Sequence, residues 1–298
     1  MNPVLTLSGV SKSYGPVQAL KEVSFEVPVG SVFGILGPNG SGKTTLLSII
    51  LDVLKANNGN FLWFGQPGSK EQRRKIGSLL ETPNFYHYLS AVDNLKVTQS
   101  ISGRGTDEDI NEVLKKVNLF ERRKSRFKTY SLGMKQRLAI AASLLGDPRV
   151  LVLDEPTNGL DPVGIAEIRE LIIELKNSGH TIIIASHLLD EVEKVCTHVA
   201  ILKKGQLLTT GEVNEVLQDE DVVEVAAADL DMLADVLRHF SDKISINNVT
   251  NTVQLLLEKG TARVDEINSY CFSKGIVLSH LLLKKKRLEA RFFELTNN

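Results

Sequence analysis

A glycine-rich run that follows a short apolar stretch constrains this chain more than any other feature. The stretch Val32–Leu36 is typical of a buried strand. Apolar residues at helical spacing predict a helix after the run: Leu46, Leu47, Ile50 and Leu54. Between the two, the sequence matches G-x-x-x-x-G-K-[ST] in full, as Gly37-Pro38-Asn39-Gly40-Ser41-Gly42-Lys43-Thr44-Thr45. Glycines at this spacing let the backbone wind around phosphate oxygens, so that N–H groups and the helix N-terminus face the anion.

The order of strand, loop and helix predicts a phosphate-binding loop and disfavours a chance glycine-rich turn. Lys43 is the expected contact to the β- and γ-phosphates of a nucleotide. The Thr44 hydroxyl is the expected ligand of Mg²⁺. Both expectations apply to an α/β domain that binds a nucleoside triphosphate.

A second motif places two acids at the end of a buried strand. The apolar run Val150–Leu153 is followed by Asp154, Glu155 and Pro156. Ligands collect at the carboxyl ends of strands in open α/β sheets, so we expect Asp154 to hold the Mg²⁺ shell. Glu155 is suited to accept a proton from an attacking water molecule. The alternative is a pair of solvated acids, which the phosphate-binding loop disfavours because phosphoryl transfer needs both groups.

The first 217 residues read as strands alternating with helices, which predicts a mainly parallel sheet with helices on its faces. Continuous apolar runs such as Thr181–Ala185 are typical of central strands buried on both faces. The segments Val4–Leu7 and Val23–Val27 alternate instead, and predict half-exposed antiparallel strands at the front. Apolar stripes at helical spacing between about residues 86 and 146 predict a helical insert in this α/β core.

After about residue 217 the pattern changes to a smaller α+β unit, which we expect to span residues 218–298. Acidic residues at 219–221 mark the boundary. Beyond them the pattern predicts strand 222–225, helix 232–240, strand 253–257, helix 262–272 and strand 276–283. The basic run 284–287 is short, and the acidic residues of the tail balance it, so a solvated helix start is the favoured interpretation.

Charge and composition argue against several classes of protein. Lys and Arg number 35 against 36 Asp and Glu, a net charge of −1, so no bulk field attracts nucleic acid or acidic lipid. No stretch reaches the ~18 apolar residues of a membrane helix, and Met1-Asn2-Pro3 does not begin a signal peptide. Cys196 and Cys271 match no metal spacing, so we expect buried free thiols in a reducing compartment.

With these motifs in order, the chain resembles the ATP-binding subunits of ABC transporters over residues 4–217. Tyr130–Arg137 resembles the signature motif of that family, and Asn158–Asp161 resembles its dimer-contact loop. Ser186-His187 resembles the switch histidine, and Tyr14 lies where the family stacks an aromatic ring on adenine. The resemblance implies a P-loop NTPase fold with ATP as substrate and Mg²⁺ as cofactor.

The resemblance also implies individual roles. His187 would contact the γ-phosphate, and Ser131 and Gly133 at a helix start would bind the nucleotide of the opposite subunit. Two copies would then enclose two ATP molecules across a two-fold interface, or the chain would pair with a second ATP-binding subunit. Asp161 precedes Pro162, so it is either a helix N-cap alone or a cap that also contacts the dimer partner.

Two departures from the family pattern concern ligand contacts. The usual signature is Leu-Ser-Gly-Gly-Gln, whereas this chain has Tyr130, Leu132 and Met134 in place of the Leu, the first Gly and the Gln. In the loop before the helical insert the family has a metal-contacting Gln, and Glu81 is the candidate at that position. A carboxylate also suits Mg²⁺. These departures and the appended tail resemble the bacitracin- and lantibiotic-type exporters.

The partners implied by the resemblance are separate transmembrane permease subunits on the cytoplasmic face of the cell membrane. The expected docking surface is the helical insert near Phe85, Tyr86 and Tyr88. The alternative is a soluble nucleotide switch of the same family that acts on ribosomes or DNA. The single phosphate loop and the near-zero net charge disfavour this alternative, and we expect no nucleic acid partner.

Overall fold

The computed structural model describes residues 3–80, 84–217, 220–258, 260–284 and 292. It divides into two compact units, Met1–Glu212 and Val213–Asn298. Asp219 of the acidic boundary, Met1 and Asn2 at the start, and residues 285–287 of the basic run lie outside the described residues.

The first unit contains ten described strands and seven described α-helices. Their bounds are β1 (Leu5–Tyr14), β2 (Val17–Val27), β3 (Val32–Leu36), α1 (Lys43–Ile50), β4 (Asn58–Trp63), β5 (Gln66–Pro67), α2 (Lys70–Arg73), β6 (Ile76–Leu79), α3 (Ala91–Ser102), α4 (Asp107–Lys116), α5 (Leu132–Leu144), β7 (Val150–Asp154), α6 (Pro162–Asn177), β8 (Thr181–Ser186), α7 (Leu189–Val195), β9 (His198–Lys203) and β10 (Gln206–Glu212).

A six-stranded sheet in the order β10-β9-β3-β8-β7-β6 forms the centre of this unit. All neighbours from β9 to β6 pair in parallel, and β10 is an antiparallel edge strand. Strands β3, β7 and β8 are buried along their whole length. This confirms the prediction from their continuous apolar runs, because a strand covered on both faces needs no polar alternation. The carboxyl ends of these three strands therefore meet at one edge of the sheet.

A separate antiparallel sheet in the order β2-β1-β4-β5 contains the N-terminal segments. Leu5 and Leu7 are buried on its inner face, in agreement with the alternation in the sequence. The Trp63 indole donates a hydrogen bond of 2.7 Å to the Ile50 carbonyl. This buried contact fastens the end of α1 to the antiparallel sheet and so supports the loop that precedes α1.

Helices α3, α4 and α5 form the predicted helical insert. Helix α4 begins at a capping box, in which the Thr106 hydroxyl accepts from the Asp109 amide and the Asp109 carboxylate accepts from the Thr106 amide. Its apolar stripe is buried at Ile110, Val113 and Leu114. The 3.6-residue spacing therefore identified the inward face of this helix correctly.

The second unit combines strands and helices, as the sequence predicts, and its sheet is antiparallel. Its described elements are α8 (Val213–Leu217), β11 (Glu220–Ala226), α9 (Leu230–Leu237), β12 (Ile244–Asn247), β13 (Thr252–Glu258), α10 (Val264–Ser273) and β14 (His280–Lys284). The strand order is β12-β13-β11-β14. The prediction missed β12, because four residues with only two apolar side chains give too short an alternation.

Both cysteines are buried free thiols, as expected, and burial raises the pKa of each. Within the described part of the chain, no helix combines the length and apolar character that crossing a bilayer requires.

Candidate functional site

The glycine-rich run forms a tight loop between β3 and α1. Gly40 and Gly42 have φ of +78° and +105°, which side chains rarely adopt. A Cβ on Gly37 would lie 2.3 Å from the Ser41 hydroxyl and 2.4 Å from the Leu202 carbonyl. The loop thus depends on glycine for its backbone conformation at two positions and for close approach at the third.

Lys43 is almost fully buried, with 6% of its surface exposed, and its ammonium group lies on the loop. Its Nζ donates to the carbonyl of Gly37 at 2.8 Å and to that of Pro38 at 3.4 Å. Glu155 Oε1 lies 3.6 Å from the same nitrogen. The charge is therefore held at the loop by weak carbonyl acceptors and one carboxylate, all of which an anionic phosphate can replace.

The loop also presents polar groups suited to phosphate. The Ser41 hydroxyl is buried and has no hydrogen-bond partner among the described residues. Such a group is costly to bury unless a ligand or water satisfies it. Together with the glycine-dependent backbone and the start of α1, Ser41 makes the loop fit the phosphates of a nucleotide.

Thr44 and Asp154 meet beside the loop although they lie 110 residues apart. The Thr44 hydroxyl donates a hydrogen bond of 2.9 Å to Asp154 Oδ2. Asp154 is the last residue of β7 and is only 2% exposed. A hydroxyl and a carboxylate oxygen side by side are the hard donors that Mg²⁺ prefers, so this donor set fits the metal.

Glu155 and His187 form the other half of the site. The imidazole Nδ1 of His187 lies 2.8 Å from Glu155 Oε2. Glu155 has a φ of +48°, an uncommon value for a residue with a side chain, and its N–H donates to the Ala185 carbonyl at 2.9 Å. This bond to β8 holds the turn after β7 in a conformation that directs the carboxylate toward the histidine.

The sequence did not reveal the contribution of Ser186, the last residue of β8, which directly precedes the histidine. Its hydroxyl accepts from the Leu188 N–H at 3.0 Å and closes a turn around His187. A Ser hydroxyl that bonds a backbone amide two residues on is a common local motif. The sequence Ser-His-Leu contains that signal, but only the structure shows that the turn follows a strand end in the site.

The structure therefore brings together five of the expected residues at the carboxyl ends of β3, β7 and β8. They are Lys43, Thr44, Asp154, Glu155 and His187. Glu81, the expected third metal ligand, lies outside the described residues.

The signature residues lie elsewhere on the unit. Ser131 caps α5, and its hydroxyl accepts from the Met134 amide at 3.3 Å. Within the described residues, no hydrogen bond or ion pair joins Ser131 or Gly133 to the phosphate loop. Ser131 is exposed, and Gly133 is near Leu160, whose Cδ2 would lie 3.9 Å from a Cβ at that glycine. Their contact with a nucleotide stays a prediction.

Among the described residues, neither Asp161 nor Tyr14 forms a hydrogen bond or ion pair with the five clustered residues. Asp161 caps α6, with Oδ1 accepting from the Gly164 amide at 3.0 Å and Pro162 in the first turn. The Tyr14 ring at the end of β1 is 47% exposed and lies 5.5 Å from the Lys12 ammonium. The cap role of Asp161 is observed, whereas its dimer contact and the stacking of Tyr14 on adenine stay predictions.

Comparisons with known proteins agree on one family. The family model described as ABC transporter matches residues 20–158. The uncharacterized ABC transporter ATP-binding protein YhcH of Bacillus subtilis is 38% identical over 99% of this chain and 97% of its own length. The bacitracin transport ATP-binding protein BcrA of Enterococcus faecalis is 31% identical over 99% of this chain and 97% of its own length. The lantibiotic transport ATP-binding protein SrtF of Streptococcus pyogenes is 42% identical over 70% of this chain and 91% of its own length.

Solved structures give the same result for the fold. CbiO1 from Clostridium perfringens, part of the ABC transporter complex cbiONQ, has a TM-score of 0.66 at 30% identity, over 72% of this chain and 91% of its own. The ADP conformation of MJ1267, an ATP-binding cassette of an ABC transporter, has a TM-score of 0.65 at 26% identity, over 72% of this chain and 93% of its own. The P-loop NTPase fold is confirmed, and the alternative of a ribosome- or DNA-acting switch is not supported. The chain belongs to the ATP-binding proteins of ABC transporters, and it is an ATPase.

Proposed function

We propose that this chain is the energy-coupling subunit of an exporter, in which ATP hydrolysis drives translocation by separate transmembrane subunits. The observation that carries the proposal is the cluster of Lys43, Thr44, Asp154, Glu155 and His187 at one sheet edge. These side chains supply what phosphoryl transfer to water needs: a phosphate cation, metal ligands and a proton acceptor.

Nucleotide binding begins at the loop from Gly37 to Thr45. The backbone N–H groups and the Ser41 hydroxyl bind the phosphates, and Lys43 exchanges its carbonyl partners for phosphate oxygens. Thr44 and Asp154, together with Glu81, would hold Mg²⁺, which would supply positive charge to the phosphates. Tyr14 stacks on adenine, for which its exposed ring is accessible.

Hydrolysis relies on the Glu155–His187 pair. Glu155 accepts the proton of the attacking water. His187 orients this carboxylate through the 2.8 Å contact, and its second ring nitrogen would contact the γ-phosphate. The carboxylate lies 3.6 Å from Lys43 Nζ, so base and phosphate cation are adjacent before the nucleotide binds.

Two such chains, or this chain and a second ATP-binding subunit, enclose ATP between them. The N-terminus of α5 can bind an anion through the exposed Ser131 hydroxyl and the Gly133 N–H. Neither residue is bonded to the phosphate loop of its own chain within the described residues. They are therefore available to the γ-phosphate bound by the facing subunit, and Asp161 lies at the same interface. The isologous arrangement produces two equivalent sites.

The transmembrane partner docks on the helical insert, which places the chain on the cytoplasmic face of the membrane. Tyr86 and Tyr88 are 51% and 66% exposed, with ring centroids 5.8 Å apart, and form a small aromatic surface. Phe85 instead packs edge-on against Phe127, with ring centroids 5.2 Å apart. Exposed aromatic pairs of this kind are typical anchors of protein interfaces.

The transported substrate is a peptide antibiotic or a related drug. Support comes from the relatives, which are named for bacitracin and lantibiotic transport, and from the BcrA relative that is similar over the tail as well as the ATPase unit.

Copurification tests the proposal. An affinity-tagged chain expressed in its native host should retain a polytopic membrane protein when extracted in mild detergent. Tyr86→Ser together with Tyr88→Ser should lose that partner but retain ATP binding. Val249→Ser, at a residue of the second unit that is 96% exposed, is the control and should retain both. Copurification of ribosomes without a membrane protein would contradict the proposal.

A further inference from the structure

A second charged cavity lies in the first unit, away from the nucleotide loop. Its volume is about 270 Å³, and it is lined by Lys70, Arg73, Arg74, Ile76, Ser102 and Arg104. Ile76 is the first residue of β6. The nucleotide loop follows the last residue of β3, and β6 runs parallel to β3 through β7 and β8. The cavity therefore lies at the opposite edge of the sheet from the ATPase site.

The charges of this cavity are largely unbalanced. Arg73 forms an ion pair with Asp52. Among the described residues, Lys70, Arg74 and Arg104 have no carboxylate within ion-pair distance, although the chain as a whole is neutral within one charge. Three cations thus face one small space without acids to compensate them.

The end of α3 accounts for part of this arrangement. The Arg74 guanidinium is near this end, with one nitrogen 3.7 Å from the position of a Cβ on Gly103, the C-cap of α3. A helix C-terminus carries the equivalent of roughly half a negative charge. It attracts one cation and cannot balance three.

Arg104 provides the strongest argument for a ligand. It is only partly exposed, and one guanidinium nitrogen donates to the Ile76 carbonyl at 2.7 Å. Burial lowers the pKa of this guanidinium, which means that its charge is poorly solvated. The remaining guanidinium donors border the cavity, and an anion there would restore the lost solvation.

We infer that this cavity, defined by Lys70, Arg74 and Arg104, binds a phosphate-containing anion at a site distinct from the ATPase site. Its volume is below the roughly 300–1,000 Å³ of pockets for drug-sized ligands, so it suits a phosphate or diphosphate group. The planar guanidinium groups of Arg74 and Arg104 can each donate two parallel hydrogen bonds to phosphate oxygens, and the Lys70 ammonium adds a compact positive charge. The group belongs either to a small soluble molecule or to an anionic lipid headgroup.

The experiment uses the full chain with saturating ADP and Mg²⁺, so that the nucleotide loop is occupied. Inorganic pyrophosphate is titrated by calorimetry at constant ionic strength. In a second arm, cosedimentation is measured with phosphatidylglycerol–phosphatidylcholine vesicles and with phosphatidylcholine vesicles alone. The test variant is Lys70→Gln with Arg74→Gln, and its matched control is Lys124→Gln with Arg126→Gln, which removes the same charges from exposed positions of the helical insert.

Saturable binding in either arm should weaken by at least about tenfold in the test variant and stay at the wild-type level in the control. Pyrophosphate binding would identify a soluble ligand, and vesicle binding alone would identify a lipid headgroup. Wild-type protein that binds neither probe, or equal losses in both variants, would overturn the inference. Arg74→Glu, which places a carboxylate among the cations, provides a second test if the double variant does not fold, and unchanged binding in it would also overturn the site.

Discussion

At the scale of single residues, the proposed general base is a carboxylate whose position is set by its backbone. Glu155 has a left-handed backbone conformation with a φ of +48°, and its N–H donates a hydrogen bond to the Ala185 carbonyl. Its side chain contacts His187 and Lys43. The neighbouring Asp154 extends from a regular strand toward Thr44. Two adjacent acids thus have different surroundings, which supports the proposal that one holds the metal and the other activates the water.

Glu155→Gln tests this division of roles. The amide keeps the shape and cannot take the proton, so ATP hydrolysis should fall by about 10²–10⁴-fold, or about 3–5 kcal/mol of barrier. ATP binding should persist, because Lys43, Thr44 and Asp154 are unchanged, whereas Lys43→Ala should lose binding and hydrolysis together. Steady-state phosphate release and titration with a fluorescent ATP analogue measure the two properties.

The same variant reports on the enclosed dimer. With hydrolysis blocked, ATP should shift Glu155→Gln from monomer to dimer on a sizing column, and ADP should not. Hydrolysis at the wild-type rate would refute Glu155 as the base. An inactive variant that stays monomeric at saturating ATP would count against the two-site arrangement.

At the scale of elements, two helix starts have an observed structural role and a proposed functional one. Asp161 caps α6 and Ser131 caps α5, and both are also expected at the dimer interface. Two substitutions separate these roles at Asp161, because Ser keeps a capping oxygen without the charge and Ala has neither.

Asp161→Ala should lower the free energy of unfolding of the first unit by about 1 kcal/mol, within a range of roughly 0.5–2. Asp161→Ser should unfold near the wild-type midpoint. If Asp161 also contacts the partner, both variants should weaken ATP-dependent dimerisation in the Glu155→Gln background. Normal dimerisation of the Ser variant would show that Asp161 acts as a cap alone.

In the second unit, the sheet of β11, β13 and β14 contains a buried acid. Glu224 is 6% exposed and accepts hydrogen bonds from Lys284 and Gln254, with His280 Nε2 at 3.2 Å. The Lys284 hydrogen bond outweighs burial and lowers the Glu224 pKa below its ordinary value of 4.5. The residue is thus a buried charge that its partners stabilise.

Because the folded-state pKa lies below the unfolded value, the carboxylate of Glu224 stabilises the second unit fully above about pH 4.5. This contribution should be lost as the pH falls below that value through the folded-state pKa. Glu224→Gln should unfold more easily than wild type at pH 7, and the difference should shrink in acid. Thermal unfolding followed by circular dichroism between pH 7 and pH 3 measures it, and a difference independent of pH would contradict the assignment.

At the scale of the whole molecule, the second unit contributes none of the five clustered residues. The five clustered residues all lie within Met1–Glu212, which forms a compact unit of its own. The second unit has its own core, in which Leu233, Leu237 and Leu255 are fully buried. Its proposed role is regulation, dimer support or partner docking.

Deletion of residues 218–298 should therefore leave ATP affinity within about threefold of wild type. The measurement is titration with a fluorescent ATP analogue, accompanied by circular dichroism to establish folding. A shortened chain that folds and does not bind ATP would show that the second unit contributes to the site.

The sequence by itself determined the elements and residues whose signal is local. Gly37 to Thr45 and the acids after Val150–Leu153 were identifiable because loop backbone, helix start and strand end are each encoded within about ten residues. The helical insert was predicted for the same reason, since its apolar stripes repeat at 3.6 residues. The four-residue strand β12 was missed because it is too short to show its period.

Only the tertiary structure decided which of these residues meet. The contact of Thr44 with Asp154 joins positions 110 apart, and that of Glu155 with His187 joins positions 32 apart. The charged cavity of Lys70, Arg74 and Arg104 combines two segments with no shared pattern. Such contacts depend on the order and the parallel direction of the strands in the sheet. Together, order and direction bring the ends of distant segments to one edge of the sheet. Neither local hydrogen bonding nor hydrophobic periodicity encodes the strand order.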